Sequence, residues 1–329
     1  MKYNIICDYN ESFESKTEEG HINDHQTKDT FIKINDAINR LGYQSTIFGG
    51  VPELIKAYNN LISLEKNDIF INLSDGTDKK YSRVQVPLMC ELLGIKYSGG
   101  GTFETALTSN KFYSSLAVKR QGLLAPENYL ISRKEDLKIV KDGKYIVKPN
   151  SEGSSIGIDD TSVSDNLKVI KDKTVNLLTS FSEVVIEEYI PGYDATCFVI
   201  GNEDSIILNE PLLIEHHNKL VFNSEVMGYR EHVRKTRTFI SCEGILPTYT
   251  IDSIRETSCR IKKLFNILDF CRIDYRITED GNVYFLEINT VPAISEQSQV
   301  GVICDNLNIS FDEFIEMIII TITERFNRE

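Results

Sequence analysis

Toward its C-terminal end the chain reads Arg272-Ile273-Asp274-Tyr275-Arg276-Ile277, then Glu279-Asp280-Gly281-Asn282, then Tyr284-Phe285-Leu286-Glu287-Ile288-Asn289. Two runs of period two flank an Asp-Gly pair, the strongest short-range signal for a β-hairpin. With Asp280-Gly281 as a two-residue turn, paired residues sum to 561, so Asp274 faces Glu287 and Arg272 faces Asn289. Like charges directly opposite each other destabilise a ladder. A cation between them reverses the sign, and two carboxylates with an amide oxygen are the hard ligands Mg²⁺ prefers. Taken alone, the stretch also fits an exposed hairpin face with its charges fanned into water.

Outward from the hairpin, the chain runs to 329 residues, enough for two or three modules sharing a large core. Its 41% apolar and 26% charged residues describe an ordinary globular protein. A formal net charge of −13 argues against a nucleic-acid partner but allows a local basic pocket for phosphates. The seven cysteines (7, 90, 197, 242, 259, 271 and 304) lack any C-x-x-C spacing and read as buried apolar residues in a reducing compartment. The opening Met1-Lys2-Tyr3-Asn4-Ile5-Ile6-Cys7 is too short and polar for a signal peptide. No run approaches the roughly 18 apolar residues of a membrane span. A cytoplasmic protein without a membrane partner is expected.

Residues 2–7 read as a buried strand, followed by a helix with Phe31, Ile34, Ile38 and Leu41 on one face and Gly42 past its end. Gln44–Phe48 and Asp68–Leu73 are further strands, and Val84–Leu93 is an amphipathic helix ending at Gly94. This alternation predicts a parallel sheet with covered faces. Lys144–Pro149 and Glu183–Ile190 read as strands with a helix over Ser164–Ser180 between them. Asp194–Ile200 and Ser205–Leu208 suggest antiparallel pairing around Gly201-Asn202. Glu210 to Ile240 has weak periodicity and many charges, as a mobile flap would. Ser253-x-x-Glu256 and Ser310-x-x-Glu313 are capping boxes that open two helices.

Lys148-Pro149-Asn150-Ser151-Glu152-Gly153-Ser154-Ser155-Ile156-Gly157 follows a strand. Glycines let the backbone approach an anion, serines add donors, and the lysine supplies charge. The spacing is neither a Walker A loop nor a dinucleotide fingerprint, and a plain surface turn is the competing reading. Glu187-Glu188-Tyr189-Ile190 ends the next strand, with Asp194 after the Pro191-Gly192 turn. Such acceptors suit an adenine amino group and ribose hydroxyls, or form a solvated acidic strand end.

These four segments, with Glu287-Ile288-Asn289-Thr290-x-Pro292 closing the last, resemble in type, order and spacing the D-alanine–D-alanine ligase family of the ATP-grasp superfamily. The likeness runs from about Asp68 to the end of the chain and is weak before that. It implies an α/β protein with a Rossmann-like parallel-sheet module (residues 1–108), a central α+β module (109–190) and a C-terminal α+β module with the metal site (191–329). It further implies that Lys111 and Lys148 contact ATP phosphates, and that Glu187, Glu188, Ile190 and Asp194 contact adenine and ribose. Asp274, Glu287 and Asn289 are then ligands of two Mg²⁺ ions, Arg272 the arginine beside the transferred phosphoryl, and Ser154 the loop serine that orients the pocket. Ser298 then matches the serine that binds the second substrate's carboxylate, and the backbone N–H of Ala293 can still donate to substrate provided φ there is negative.

Three departures from the family pattern stand out. Leu73-Ser74-Asp75-Gly76-Thr77-Asp78 replaces a His-Gly pair and an acidic Gly-rich stretch, and Val291-Pro292-Ala293 replaces Ser-Pro-Gly. The flap retains Tyr229 but carries Met227 and Gly228 where the family has a lysine. Either Arg230, Arg234 or Lys235 replaces that lysine, or the second substrate presents no free α-carboxylate there. The latter is preferred, since three cations on a loosely patterned loop are more often solvated. The expected activity is an ATP-dependent carboxylate–amine ligase acting through an acyl phosphate on small amino-acid or peptide substrates. The flap from about Glu215 to Arg237 would exclude water, and a homodimer is allowed. Alternatives are the same mechanism with a different acceptor, or a nucleotide-binding module without ligation, which the intact Arg272, Asp274, Glu287 and Asn289 set opposes.

Overall fold

Three sheets carry the chain, which the computed structural model describes over residues 1–8, 28–77, 81–203, 205–226 and 237–328. The first is parallel: β1 (Tyr3–Ile6), β2 (Ser45–Gly49), β3 (Ile69–Asn72) and β4 (Lys96–Tyr97) lie in the order β2-β1-β3-β4. Every residue of β1 and β3 is buried, as a parallel sheet covered on both faces requires. α1 (Lys28–Arg40), α2 (Val51–Tyr58) and α3 (Gln85–Leu93) make the crossovers, and α3 stops at Gly94 in the left-handed region, φ 63°.

α4 (Thr102–Thr108) and α5 (Lys111–Arg120) lead to an antiparallel sheet of order β5-β8-β6-β7, built from β5 (Asn128–Ile131), β6 (Tyr145–Pro149), β7 (Val163–Ser164) and β8 (Val184–Glu188). α6 (Leu167–Leu177) packs on it through Ile170 and Leu177. This helix starts later than Ser164, because Val163–Ser164 pairs with β6 and the Asn166 side chain caps Lys168 N at 3.0 Å.

The third sheet is also antiparallel. It contains β9 (Gly192–Asn202), β10 (Ser205–His216), β11 (Val221–Phe222), β12 (Arg237–Ser241), β13 (Phe270–Ile277) and β14 (Val283–Asn289), in the order β12-β10-β9-β13-β14 with β11 beside β9. α7 (Thr248–Leu264) covers one face, and α8 (Gln299–Leu307) and α9 (Phe311–Arg328) follow. On one side Cys197, Val199, Ile273 and Tyr275 pack against Ile254 and Ile261 of α7. On the other Phe198, Ile200 and Phe270 join Ile5, Phe31, Phe314 and Ile318, so the first sheet and the third share a core.

Three sequence readings are corrected here. Glu210–His216 continues β10 in register with β9, down to Ile214 opposite Asp194, and is no part of an irregular flap. Its period is hidden because both faces are covered: Leu212 belongs to one core and Leu213 to the other. The helix expected to open at Ser253 begins at Thr248, since Thr250 and Ile251 already face inward. The Ser310 box does form, with Ser310 N donating to Glu313 Oε2 at 2.7 Å and Glu313 N to Ser310 Oγ at 3.2 Å.

The hairpin itself is the third correction. Thr278 N donates to Asn282 O at 3.0 Å and Gly281 N to Thr278 O at 2.9 Å, with Gly281 at φ 84°. The loop therefore has three residues, Glu279-Asp280-Gly281, the familiar alternative to a two-residue turn. Pairing near it runs Ile277↔Val283 to Tyr275↔Phe285, one residue short of the predicted register. A bulge at Leu286 then restores that residue, so Asp274 faces Glu287 and Arg272 faces Asn289 as the sequence predicts.

All seven cysteines are free, and all but the partly buried Cys259 are buried. Among the described residues no helix is long and apolar enough to cross a membrane. The modules are tied at Asp269, which is fully buried at φ 59°. It accepts from Arg325 Nε (2.9 Å) and Nη2 (2.8 Å), from Asn202 Nδ2 (3.1 Å) and from Gly99 N (3.1 Å). Arg325 Nη2 also donates to Tyr97 O at 2.8 Å. Removing one partner of such a buried pair costs about 3–5 kcal/mol. Asp269→Ala should lower stability by about that amount in urea unfolding; a loss below about 1 kcal/mol would show the network to be dispensable.

Candidate active site

β9, β13 and β14 are neighbours, and their alternation places Asp194, Thr196, Arg272, Asp274, Arg276, Glu287 and Asn289 on one face. Further along the same face stand Phe198, Ile200 and Phe270, so the polar stripe begins where the core ends. Cross-strand pairs organise it. Thr196 Oγ1 donates to Asp274 Oδ1 at 2.8 Å. Arg272 holds both oxygens of Asp274, through Nε at 2.9 Å and Nη2 at 2.8 Å. Arg276, opposite Asp194, pairs with it at 3.1 Å and stacks 5.2 Å from the Tyr189 ring centre. Gly192 makes this crossing possible: a Cβ there would stand 2.0 Å from Ile277 O.

The other wall comes from the central sheet and α5. Lys148 of β6 and Glu187 of β8 are both buried and pair at 2.6 Å. Lys111 opens α5 behind the Asn110 cap, whose Oδ1 accepts from Tyr113 N at 3.0 Å. Its Nζ reaches Glu287 Oε2 at 3.1 Å and donates to Glu152 O of the Gly/Ser loop. In that loop Ser154 and Ser155 both take left-handed conformations, φ 53° and 56°. Such strain in non-glycine residues clusters at functional sites.

The charges are poised. Burial pushes the Glu287 carboxyl up, but Lys111, Lys148 and Arg272 together outweigh it and hold the pKa at about 2. Asp194 is raised, chiefly by burial, with Arg276 opposing and Asp274 adding to the rise. Glu187 Oε2 is buried with no hydrogen-bond partner. Such an orphan acceptor is uncommon in a folded protein and is free to take a further donor.

Residues 124–320 match the family model described as "D-ala D-ala ligase C-terminus". The chain belongs to the D-alanine–D-alanine ligase family. The D-alanine–D-alanine ligase of Fervidobacterium nodosum is 30% identical over 291 residues, covering 82% of this chain and 88% of that one. That of Aquifex aeolicus is 27% identical over 266 residues, covering 79% and 84%. Among solved structures, a D-alanine–D-alanine ligase from Bacillus anthracis complexed with ATP superposes with a TM-score of 0.72 at 19% identity, covering 100% of this chain and 99% of that one. The VanG D-Ala:D-Ser ligase of Enterococcus faecalis gives 0.71 at 17% identity, covering 98% and 99%. The three-sheet architecture is thus the ATP-grasp fold.

Within this D-alanine–D-alanine ligase framework the structure brings Lys111, Lys148, Glu187, Asp194, Arg272, Asp274 and Glu287 into one charge cluster, with Asn289 opposite Arg272 on the same sheet face. The Glu188 side chain is turned out to solvent, where Oε2 accepts from Glu127 N at 3.3 Å. Ile190 is buried beside the Lys148–Glu187 strands. Asn289 Oδ1 accepts from Val291 N at 3.0 Å. Ala293 is not in the left-handed region, and its N–H makes no hydrogen bond among the described residues. Ser298 caps α8 at Val300 N (3.3 Å) and gives its proton to Ser295 O (2.7 Å). Tyr229 and the flap residues Met227, Gly228, Arg230, Arg234 and Lys235 lie outside the described residues.

Sequence reasoning missed Thr196, Arg276 and Arg83. Arg276 was within reach: it follows Arg272 and Asp274 at the same spacing of two, and so shares their face. Thr196 was within reach for the same reason, two residues past Asp194 on its strand, whereas Arg83 comes near only through tertiary packing. Among the described residues no group of three or more His, Cys, Asp or Glu side chains is arranged to hold a metal. Asp274, Glu287 and the amide oxygen of Asn289 are oxygen donors of the type that would hold Mg²⁺, with phosphate oxygens completing its shell.

A carboxyl held at about 2 in the fold and near 4.3 when unfolded stabilises above about pH 4.3, and loses that contribution as pH falls toward 2. The stability difference between wild type and Glu287→Gln should therefore be constant above about pH 5 and shift against wild type between about pH 4.3 and 2. Urea unfolding across that range checks it, and a pH-independent difference would remove the electrostatic account.

Proposed function

We propose that the chain joins two amino acids, D-alanine the first to consider, at the expense of ATP. The observation that carries the reading is the Asp274–Glu287 cross-strand pair, one member held ionised by Lys111, Lys148 and Arg272. Such a carboxylate pair draws a cation, and Mg²⁺ would bring the phosphates of a nucleotide with it. ATP is the co-substrate: Glu187 Oε2 awaits an amino donor such as that of adenine, Ile190 offers an apolar contact, and Asp194 accepts from ribose hydroxyls. Lys111 and Lys148 stand on the phosphate side. Mg²⁺ held by Asp274, Glu287 and Asn289 would neutralise phosphate charge.

An oxygen of the donor carboxylate attacks the γ-phosphorus, the bond to ADP breaks, and an acyl phosphate results. The amine of the second amino acid then adds to the acyl carbon, phosphate leaves, and the amine proton is lost. Charge grows on phosphoryl oxygens first and on the acyl oxygen next. Arg272 is positioned for the former and the unspent Ala293 N–H for the latter. The curated relatives named above favour D-alanine over another acceptor. Ser298, at the start of α8, would bind the second substrate's carboxylate by turning its hydroxyl proton from Ser295 O to the ligand.

ADP release measured against D- and L-amino acids, singly and in pairs, tests the reading; a protein that no amino acid stimulates would refute it. Two variants sharpen it. Glu287→Gln keeps the shape and removes one anionic ligand, so ATP turnover should fall by several orders of magnitude with the fold intact by circular dichroism. Near-normal turnover at ordinary Mg²⁺ would move the metal site elsewhere. Lys148→Ala should raise the KM for ATP and lower kcat together, because its charge acts in ground and transition states alike. An unchanged KM would take the phosphates away from Lys148.

A further inference from the structure

Arg83 enters the site from the N-terminal module, in the short turn Ser82–Val84 ahead of α3. Its Nε pairs with Asp75 Oδ1 at 2.6 Å, and its side chain keeps 25% of its surface. The terminal nitrogens lie against the Gly/Ser loop: a Cβ built on Gly153 would stand 3.4 Å from Nη2. Gly153 has no side chain, so the guanidinium is left uncovered on that side. Among the described residues these terminal nitrogens donate no hydrogen bond. The neighbouring cations are committed otherwise, Lys111 to Glu287, Lys148 to Glu187, and Arg272 by two nitrogens to Asp274. Burial works against the charge of Arg83, Asp75 and Glu287 sustain it, and Arg272 opposes it, so it shares the field of the cleft.

The placement is built rather than incidental. Asp75 N donates to Asp8 Oδ2 at 2.7 Å and Gly76 N to Asp8 Oδ1 at 3.2 Å, fixing the segment that carries the ion pair. Gly76 takes φ 83°, and a Cβ there would stand 2.2 Å from Ser82 O, so the chain folds back tightly onto the Arg83 turn. Tyr81 OH accepts from Asn110 Nδ2 at 3.2 Å, and Asn110 caps the helix that begins with Lys111. Arg83 is thereby held in fixed relation to Lys111.

We infer that the terminal nitrogens of Arg83 bind the carboxylate of the donor amino acid, beside Gly153 and facing Arg272. The inference rests on the ligase reading above. A planar guanidinium with one edge occupied by Asp75 still presents parallel N–H donors that match a carboxylate. It would hold the nucleophile's oxygen against the phosphoryl group and soften the repulsion between two anions.

The full-length protein tests this with D-alanine as donor and hydroxylamine as acceptor, so that a single amino-acid KM is read. Arg83→Ala should raise the KM for D-alanine on the order of 10- to 100-fold, the effect of losing a charge-assisted hydrogen bond. The dissociation constant of a non-hydrolysable ATP analogue should stay within about twofold. Arg83→Lys should fall between the two, and it supplies the readout if the alanine variant does not fold. Asp75→Asn removes the ion pair but keeps the guanidinium, and should leave the KM for D-alanine within about threefold of wild type. An unchanged KM in both Arg83 variants overturns the inference. So does an Asp75→Asn variant matching Arg83→Ala, which would make Arg83 a strut between modules. A wild-type protein inert to every amino acid overturns the ligase reading instead, and this inference with it.

Discussion

Asp274 and Glu287 face each other across a β-ladder, and the surrounding structure answers to that repulsion. Two carboxylates opposed in this way are tolerated only where cations and hydrogen-bond donors surround them. Arg272 and Thr196 meet the demand from the same sheet, through Asp274. Lys111 and Lys148 meet it from outside the sheet, through Glu287. The electrostatic demand of one hairpin thus draws α5, β6 and the Gly/Ser loop against the third sheet. The charges balance where the third sheet meets α5 and the central sheet.

Apolar packing holds the frame within which that balance operates. The third sheet is buried on both faces, against α7 on one side and against the first sheet and α9 on the other. Its polar stripe occupies only the end of one face that this core leaves uncovered. Asp269 pins the frame where strand β13 begins, joining β4, β9 and α9 through one carboxylate. The site therefore sits on rigid strands over a shared core, with the central sheet above it.

Much of this was legible in the residues, for reasons that differ from place to place. Strands and helices with one covered face declared their period, as at Phe31, Ile34 and Ile38. The Ser310 cap is a local interaction, and local interactions are readable. Glu210–His216 was misread because Leu212 and Leu213 are buried on opposite sides, which erases any alternation. Ser253 was misread because a capping pattern inside a helix looks the same as one at its start. The facing of Asp274 and Glu287 came out correctly although the turn was wrong, since a longer loop and a bulge cancel. Arg83 had no local signal, because only the packing of distant segments brings it near Glu287 and Arg272.

That cancellation has a consequence for how the hairpin can change. Facing across a strand pair is a matter of parity: each added or removed residue turns everything beyond it to the opposite side. The three-residue loop alone would put Leu286 opposite Asp274, and would turn Glu287 and Asn289 toward α7. Leu286, taken up as a bulge, resets the count before the strand reaches the site. Loop and bulge are thus one compensated unit, and length changes at the exposed tip are safe only in matched pairs. The side chain of Leu286 is nearly irrelevant to this; what matters is that a residue is there to be counted.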